Sequence, residues 1–326
     1  MPSLPTQRDG LPAGDGGERP PEPADGLARA VDYEARHGAG ADRALVLGGG
    51  GIFFIAWQVG YLMGLRKRGV DLAQARIVVG TSAGALVASI LTAGKLPLFS
   101  REVGVLGKLA GMLAPSTELQ PSQVRALRLF TDATEASAET VRHIGHAALA
   151  AQGEPAAKLR RSVGLVLGPG GRKWPAPSLH IVTVDAYSGE RLVVTAAAGV
   201  SAARAAAASA AVPGLFGPQT VRDRRCMDGG ASGSGTHCDL VAGAGRAVIL
   251  ALAASAPAEK ARMTVPAGGF GREVRALAGT GTETLVRGPR SVDIAAAMSP
   301  KSVPGALAMA DEQAESDAAA VRDFWR

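Results

Sequence analysis

Residues 77–84 read Ile-Val-Val-Gly-Thr-Ser-Ala-Gly, and this short stretch decides the fold class. The three β-branched residues at its start predict a buried strand. The apolar spacing that continues to Gly94 predicts a helix directly after it. Between the two, residues 80–84 match the pattern Gly-x-Ser-x-Gly, and a strand that turns sharply into a helix is the context in which this pattern presents a serine nucleophile.

The turn itself explains why these residue types are needed. A serine on a sharp turn has a strained backbone, and the flanking Gly80 and Gly84 remove side chains that would collide with the strand and the helix. Ser82 would then lie at a helix N-terminus, where backbone N–H groups and the helix dipole favour negative charge. The bare pattern also arises by chance as a glycine-serine turn, but the strand before it and the helix after it favour a nucleophile.

The same order of strand, turn and helix occurs upstream. Residues 44–47 predict a short buried strand, residues 48–51 are four glycines that form a turn, and residues 55–68 have helical apolar spacing with basic residues at the end. Repetition of this unit predicts a three-layer α/β/α domain with a mainly parallel central sheet. Further strands are predicted at residues 179–185, 191–195 and 247–252, and an alanine-rich helix at residues 201–211.

Composition divides the chain into three parts. Residues 1–40 are rich in proline, glycine and acidic residues and predict a disordered tail. Residues 41–300 form the predicted domain, and residues 301–326 a C-terminal helix or tail. Within the domain, residues 95–177 are the least regular, with helical pieces predicted at 102–113 and 137–150 and a glycine–proline loop after them.

Composition also excludes several classes of protein. Two cysteines in 326 residues exclude a disulfide scaffold, and with five histidines they show no metal-ligand spacing. A net charge of +6 permits attraction to an anionic membrane surface. However, the sequence contains no compact basic cluster with interleaved aromatic residues, so it does not predict nucleic-acid binding.

One stretch resembles a membrane span. Residues 44–65 carry no charge and precede three basic residues. Four consecutive glycines would cost such a helix roughly 1 kcal/mol each, so a strand, a turn and a core helix explain the stretch better. The N-terminus lacks the apolar region of a secretory signal. We therefore expect a soluble, cytoplasmic protein, with peripheral membrane contact and oligomeric state left open.

A serine nucleophile needs a base, and the residues alone leave two candidates. Asp228 lies in the sequence Met-Asp-Gly-Gly at 227–230, although Asp-Gly-Gly is also ordinary turn chemistry. His237 is the only histidine after Asp228, which fits the order serine, acid, histidine of α/β-hydrolases. A lone histidine is more often a solvated or hydrogen-bonded loop residue.

Four motifs, in order, carry a resemblance to a known family. The motifs are residues 48–60 (GGGGIFFIAWQVG), 80–84 (GTSAG), 209–214 (SAAVPG) and 227–230 (MDGG). Four ordered motifs are a specific signal, whereas any one alone would be weak. On these motifs the chain resembles the patatin-like phospholipases, specifically their bacterial members, from about residue 43 to residue 252.

The resemblance implies a lipid acyl hydrolase, of phospholipase A or carboxylesterase type, that uses a serine–aspartate dyad and an acyl-enzyme. By position in the motifs, Ser82 matches the nucleophile and Asp228 the base, with Gly229 and Gly230 completing the second motif. The backbone N–H groups of Gly49, Gly50 and Gly51 match the oxyanion hole. A lipid or acyl ester is then the expected partner, no cofactor or metal is implied, and residues 95–177 are expected to supply the walls or lid of the acyl pocket.

The glycine loop departs from the family pattern, which has a basic residue and a final glycine before the helix. Phe53 and Phe54 occupy this part of the loop, and a phenylalanine at positive φ would be a genuine outlier. We favour the interpretation that both begin the helix and pack in the core. The alternative is that they line or block the acyl pocket.

Two other functions are consistent with parts of the sequence. The glycines at residues 48–51, between a strand and a helix, resemble a dinucleotide-binding loop. However, the pattern Gly-x-Gly-x-x-Gly is not matched, and no acidic residue ends the second strand. The second alternative is a catalytically impaired lipid-binding or regulatory module on the same fold. The presence of both Ser82 and Asp228 favours the enzyme.

Overall fold

The computed structural model describes residues 26–100, 114, 118–255, 269–293 and 296–326. Within these residues the strands are β1 Arg43–Leu47, β2 Ile77–Thr81, β3 Leu179–Asp185, β4 Arg191–Val194, β5 Gln219–Val221, β6 Arg224–Asp228, β7 Arg246–Leu250 and β8 Glu283–Arg287. The helices are α1 Gly51–Lys67, α2 Ala83–Thr92, α3 Leu96–Ser100, α4 Pro121–Thr131, α5 Ala138–Ala150, α6 Ala156–Leu167, α7 Ala202–Ser209, α8 Gly269–Gly279 and α9 Val303–Trp325. The helix predicted at residues 102–113 lies outside the described part of the chain.

The strands form one sheet with the hydrogen-bonded order β5-β6-β3-β2-β1-β7-β8, and β4 also pairs with β3. Strands β3, β2, β1, β7 and β8 run parallel, whereas β4, β5 and β6 pair antiparallel. Side chains alternate between two cores: Leu45 and Leu47 pack with α1 and α2, and Ala44 and Val46 pack on the face that carries α8. The predicted mainly parallel sheet flanked by helices is confirmed.

Strand β3 brings the ends of two other strands together. Ile181 and Val182 pair with both β2 and β4, while Thr183 and Val184 pair with both β4 and β6. Because a strand has only two edges, β2 and β6 lie in succession along the edge opposite β4. The last residue of β2 pairs with Val182 and the last residue of β6 pairs with Thr183. Two strand ends that are far apart in the sequence are therefore neighbours.

Helix α9 packs along α1 at close range. A Cβ on Gly60 would lie 2.9 Å from the Cβ of Ala310, and one on Gly64 would lie 2.5 Å from the Cβ of Ala314. Small residues on both helices thus allow the two backbones to approach each other. The C-terminal helix is part of the core of the described structure, since Trp325 at its end is also buried.

The tail was predicted to extend to residue 40, but its described part, from residue 26, packs on the domain. The Val193 N–H donates to the Leu27 carbonyl at 2.8 Å, and the Arg29 N–H donates to the Arg191 carbonyl at 2.9 Å. These bonds pair backbone groups of β4 that would otherwise be unpaired. The prediction was wrong for these residues because their partners lie on a distant strand, which composition does not reveal.

Other elements differ from the prediction. Helix α6 occupies part of the region predicted as a glycine–proline loop, with Leu159 and Val163 buried. Strands β5, β6 and β8 were not predicted, and each has only three to five residues. Helix α1 begins at Gly51, four residues before its predicted start at residue 55.

The two phenylalanines of the glycine loop lie in the first turn of α1. Phe53 and Phe54 are both buried, and the Phe54 ring stacks on Trp57 at a centroid distance of 5.5 Å. The positive φ of 69° falls on Gly51 instead. The interpretation that they pack in the core is confirmed.

Candidate active site

Ser82 occupies a sharp turn between β2 and α2. Its backbone has φ 52° and ψ −116°, a sparsely populated combination for a residue with a side chain. A Cβ on Gly84 would overlap the Leu47 carbonyl, and a Cβ on Gly80 would lie 2.7 Å from the Gly84 carbonyl oxygen. The two glycines therefore allow α2 to start directly against β1 and β2, which forces Ser82 outward.

A second serine holds this turn in place. The Ser209 hydroxyl accepts a hydrogen bond from the Ser82 N–H at 2.8 Å and donates one to the Val182 carbonyl at 2.6 Å. Ser209 is fully buried at the end of α7. In the sequence, Ser209 stands out only as the first residue of the motif at 209–214. No local sequence signal predicts that its hydroxyl supports the strained backbone of Ser82.

Asp228 ends β6 and is buried. Its Oδ1 accepts a hydrogen bond from the Gly230 N–H at 2.8 Å. Its Oδ2 is also buried and has no hydrogen-bond partner within 3.5 Å. A Cβ on Gly229 would lie 2.5 Å from the Val182 carbonyl oxygen, so the chain can turn here only with a glycine.

Burial raises the pKa of Asp228 from 3.8 to about 6. The Ser82 side chain and the Gly230 N–H offset part of this increase, because both stabilise the ionised carboxylate. The Ser82 side chain is close enough to Asp228 to affect its pKa, but Oδ2 has no fully formed hydrogen bond. Catalytic hydrogen bonds are often long in a structure without substrate.

Ser82, Asp228 and the glycine loop line a single cleft. Of the residues singled out from the sequence, Gly49, Gly50, Gly51 and Gly230 also line this cleft, whereas Gly80, Gly84 and Gly229 lie behind it and shape the backbone. The cleft is otherwise mostly apolar. Its apolar lining includes Ile52, Ile55, Leu86, Phe130, Leu159, Val212, Phe216, Val292 and Met298.

The three glycines predicted as an oxyanion hole differ in their hydrogen bonds. The Gly49 N–H donates to the Gly235 carbonyl at 3.1 Å, so it is engaged within the protein. A Cβ on Gly49 would lie 3.2 Å from the Cβ of Ser82, which shows how closely the loop approaches the serine. Gly51 is the first residue of α1 and Gly50 is its N-cap, and N–H groups at a helix N-terminus have no partner within the helix. The prediction for Gly49 as a donor therefore does not fit its present hydrogen bond.

His237 does not line the cleft. It is buried, and neither ring nitrogen has a fully formed hydrogen bond, although the Gly229 backbone is close enough to affect the pKa of the ring. Burial and the nearby Arg191 guanidinium hold the pKa of His237 well below 6.5, so the ring is neutral. Its backbone N–H donates to the Ser234 hydroxyl at 2.8 Å. The position of His237 is that of a buried loop residue.

Two further features of the described residues bear on function. No group of three or more His, Cys, Asp or Glu side chains in this part of the chain is arranged to hold a metal ion. None of the helices in the described ranges has both the length and the apolar character that a membrane-spanning helix needs.

The chain is similar to several known proteins. A family model described as patatin-like phospholipase matches residues 45–237. Among solved structures, type III effector protein ExoU is 18% identical with a TM-score of 0.35, over 87% of this chain and 53% of that chain. VipD from Legionella pneumophila is 16% identical with a TM-score of 0.32, over 83% of this chain and 66% of that chain. The chain thus spans about half of the first protein's length and just under two thirds of the second's. No curated protein sequence matches.

Proposed function

The chain belongs to the family of patatin-like phospholipases, and from this premise we propose that it is a lipid acyl hydrolase with a Ser82–Asp228 dyad. The observation that carries the proposal is the meeting of a serine on a strained turn with a buried carboxylate whose Oδ2 has no other partner. Both side chains line the same cleft. Such a pair is the minimum that acyl transfer needs, a nucleophile and a base.

In the first step, Asp228 Oδ2 takes the hydroxyl proton as Ser82 Oγ attacks the ester carbonyl. The raised pKa supports this role, because the carboxylate is a stronger base than an ordinary aspartate and is still ionised at pH 7. The carbonyl oxygen becomes an oxyanion as the tetrahedral intermediate forms. Collapse of the intermediate breaks the bond to the alcohol, which leaves with the proton from Asp228.

Backbone N–H groups stabilise the oxyanion. Gly50 and Gly51 are the donors from the glycine loop, because the Gly49 N–H bonds to Gly235. Ala83, the residue after the nucleophile, is a third donor at the N-terminus of α2, by the general geometry of such turns. Donors that are already oriented stabilise the developing charge without reorganisation.

Water completes the cycle. Asp228, again ionised, takes a proton from a water molecule that attacks the acyl-enzyme, and the same donors hold the second oxyanion. Ser82 recovers its proton from Asp228 and the fatty acid is released. Every step uses side chains and backbone groups of this chain.

The most direct test is covalent labelling of Ser82. A fluorophosphonate probe should label the folded protein and fail to label Ser82→Ala, since the probe reacts only with an activated serine. An ester panel, from short aryl esters to phospholipids, run on both proteins would then define the substrate class. Failure of the folded wild type to label would favour the non-catalytic lipid-binding module.

We also propose that residues 95–177 supply part of the acyl pocket. Phe130 from α4 and Leu159 from α6 support this, because both line the cleft. Leu159→Phe should fill part of the cleft and shift the preference towards shorter acyl chains, measured as relative kcat/KM over esters of increasing length. Leu165→Phe is the matched control, since Leu165 lies on the same helix and is 62% exposed. An unchanged preference in Leu159→Phe would contradict the assignment.

Peripheral contact with a lipid surface is the last part of the proposal. It is supported by the net charge of +6, which favours approach to an anionic surface. Hydrolysis should therefore be faster on anionic than on neutral vesicles of the same lipid substrate. Equal rates on the two surfaces would remove the electrostatic contribution.

A further inference from the structure

A second carboxylate, Glu273, lines the cleft. It lies on α8, which packs on the sheet face opposite α1 and α2, and Phe270 of the same helix lines the cleft beside it. The proposed chemistry uses Asp228 as its only base, so it gives no role to Glu273. The hydrogen bonds of Glu273 indicate what that role is.

Glu273 holds the loop that follows β6. Its Oε2 accepts a hydrogen bond from the Thr236 hydroxyl at 2.9 Å and a second from the Cys238 N–H at 3.3 Å. The loop is braced internally by Ser234, whose hydroxyl accepts from the Thr236 N–H at 3.2 Å and the His237 N–H at 2.8 Å. One carboxylate oxygen therefore fixes the position of residues 234–238 relative to α8.

This loop in turn holds the glycine loop. The Gly235 carbonyl accepts the Gly49 N–H at 3.1 Å. A Cβ on Gly48 would lie 3.2 Å from both the Gly235 carbonyl oxygen and Thr236 Cγ2, so the two loops are in close contact. Gly49 itself lies against the Cβ of Ser82. A continuous series of contacts thus runs from Glu273 through residues 234–238 to the glycines beside the proposed nucleophile.

We propose that Glu273 is a positioning residue, which sets the glycine loop for catalysis by anchoring residues 234–238. The inference rests on the proposed function, because the glycine loop matters for catalysis only if it binds an oxyanion. Glu273 acts through a hydrogen-bond-accepting oxygen and not through its charge or its proton. Glutamine retains a side-chain oxygen that can accept the Thr236 and Cys238 bonds, although its amide nitrogen cannot accept from Ser234, so it should largely replace Glu273, whereas alanine should not.

The first experiment measures amide hydrogen exchange and requires no activity. Glu273→Ala should speed exchange in peptides that cover Gly48–Gly51 and residues 234–238, with the strands of the central sheet unchanged. Glu273→Gln should exchange like the wild type. Glu283→Ala is the matched control, because it removes the same carboxylate at an exposed position at the start of β8. Unchanged exchange over the glycine loop in Glu273→Ala would overturn the proposal.

The second experiment measures the rate of fluorophosphonate labelling and the kinetics of ester hydrolysis. Glu273→Ala should lower kcat by about 10- to 100-fold with KM little changed, a smaller loss than the roughly 10²- to 10³-fold of removing an oxyanion donor outright. Thr236→Val, which removes one of the donors to Glu273 and retains the side-chain shape, should show a smaller loss of kcat. Glu273→Gln and Glu283→Ala should keep wild-type rates.

The outcomes separate the two proposals. If Glu273→Ala exchanges faster as expected but the folded wild type does not label, then Glu273 does anchor the glycine loop, and it is the hydrolase that is refuted. Normal labelling of the wild type, with Glu273→Gln as impaired as Glu273→Ala, would show that the charge or the proton of Glu273 matters and would overturn the positioning role.

Discussion

Asp228 illustrates how the chemistry of one residue opposes the stability of the fold. The raised pKa means that the folded protein binds a proton on Asp228 more tightly than the unfolded chain does. The contribution of Asp228 to the unfolding free energy should therefore rise as the pH falls from about 7 to about 4. The difference between a pKa of about 6 and the ordinary 3.8 corresponds to about 3 kcal/mol of unfavourable burial of the ionised carboxylate.

Replacing this carboxylate should separate activity from stability. Asp228→Asn should abolish turnover, because the amide cannot take the Ser82 proton, and should raise the free energy of unfolding by about 1–3 kcal/mol at pH 8. The gain should shrink below pH 6 and vanish only below about pH 3, where the wild-type carboxyl is protonated in both the folded and the unfolded state. Denaturant unfolding of both proteins across this pH range is the measurement. Equal stabilities at pH 8, or retained wild-type turnover, would contradict this account of Asp228.

For single residues, the sequence is informative where the proposed role depends on neighbours that are contiguous in the chain. Gly80, Ser82 and Gly84 are recognisable because a strand, a turn and a helix are contiguous in the chain. The supporting role of Ser209 could not be predicted, because its two partners, the Ser82 N–H and the Val182 carbonyl, meet it only in the folded sheet. The same holds for the Gly49 N–H, whose bond to Gly235 excludes it from the proposed donors.

At the scale of elements, the junction of β2 and α2 depends on the absence of a single methyl group. Gly84→Ala would place a Cβ against the Leu47 carbonyl of the neighbouring strand, which is backbone and cannot move aside cheaply. We expect a loss of about 3 kcal/mol or more in unfolding free energy, together with loss of Ser82 labelling.

Gly164→Ala provides the comparison for this substitution. Gly164 lies inside α6, and a Cβ there would meet nothing within 4 Å. Alanine should therefore stabilise the protein by about 0.5–1 kcal/mol, because it restricts the unfolded chain. Thermal unfolding of both variants is the measurement, and a Gly84→Ala protein as stable as Gly164→Ala would show that the junction can relax.

Prediction of elements succeeded where apolar periodicity was long and failed where tertiary contacts decide. Strand β5 has only three residues and β6 carries three charged ones, so neither shows a long apolar pattern, and they exist because each pairs with a neighbour in the sheet. Helix α6 contains Gly164, which weakens a helical prediction, but burial of Leu159 and Val163 stabilises it.

At the scale of the whole molecule, α9 is bound to α1 by specific contacts. The Trp57 indole N–H donates to Gln313 at 3.0 Å, and the Tyr61 hydroxyl donates to Asp317 at 2.8 Å. Both aromatic rings are fully buried. Composition alone suggested a separate C-terminal helix or tail, because the acidic and alanine-rich sequence of this helix does not identify its partner.

Removal of residues 303–326 should therefore cost the protein its cooperative fold. It would expose Trp57 and Tyr61 and leave the glycine-lined face of α1 without a partner. Near-ultraviolet circular dichroism and thermal unfolding would report the loss. Removal of residues 1–25 is the control, and we expect little change from it. A truncated protein that still unfolds cooperatively at the wild-type temperature would show that α9 is dispensable.

The pairing of Leu27–Arg29 with β4 has a consequence for how the molecule behaves in a crowded solution. Without this segment, β4 would present a row of free amide and carbonyl groups, which is a template for adding the strand of another molecule. By covering the edge of β4, residues 27–29 thus prevent edge-to-edge association of one molecule with another. We expect that loss of this segment by proteolysis would leave the cleft lined by Ser82 and Asp228 intact but make the protein precipitate.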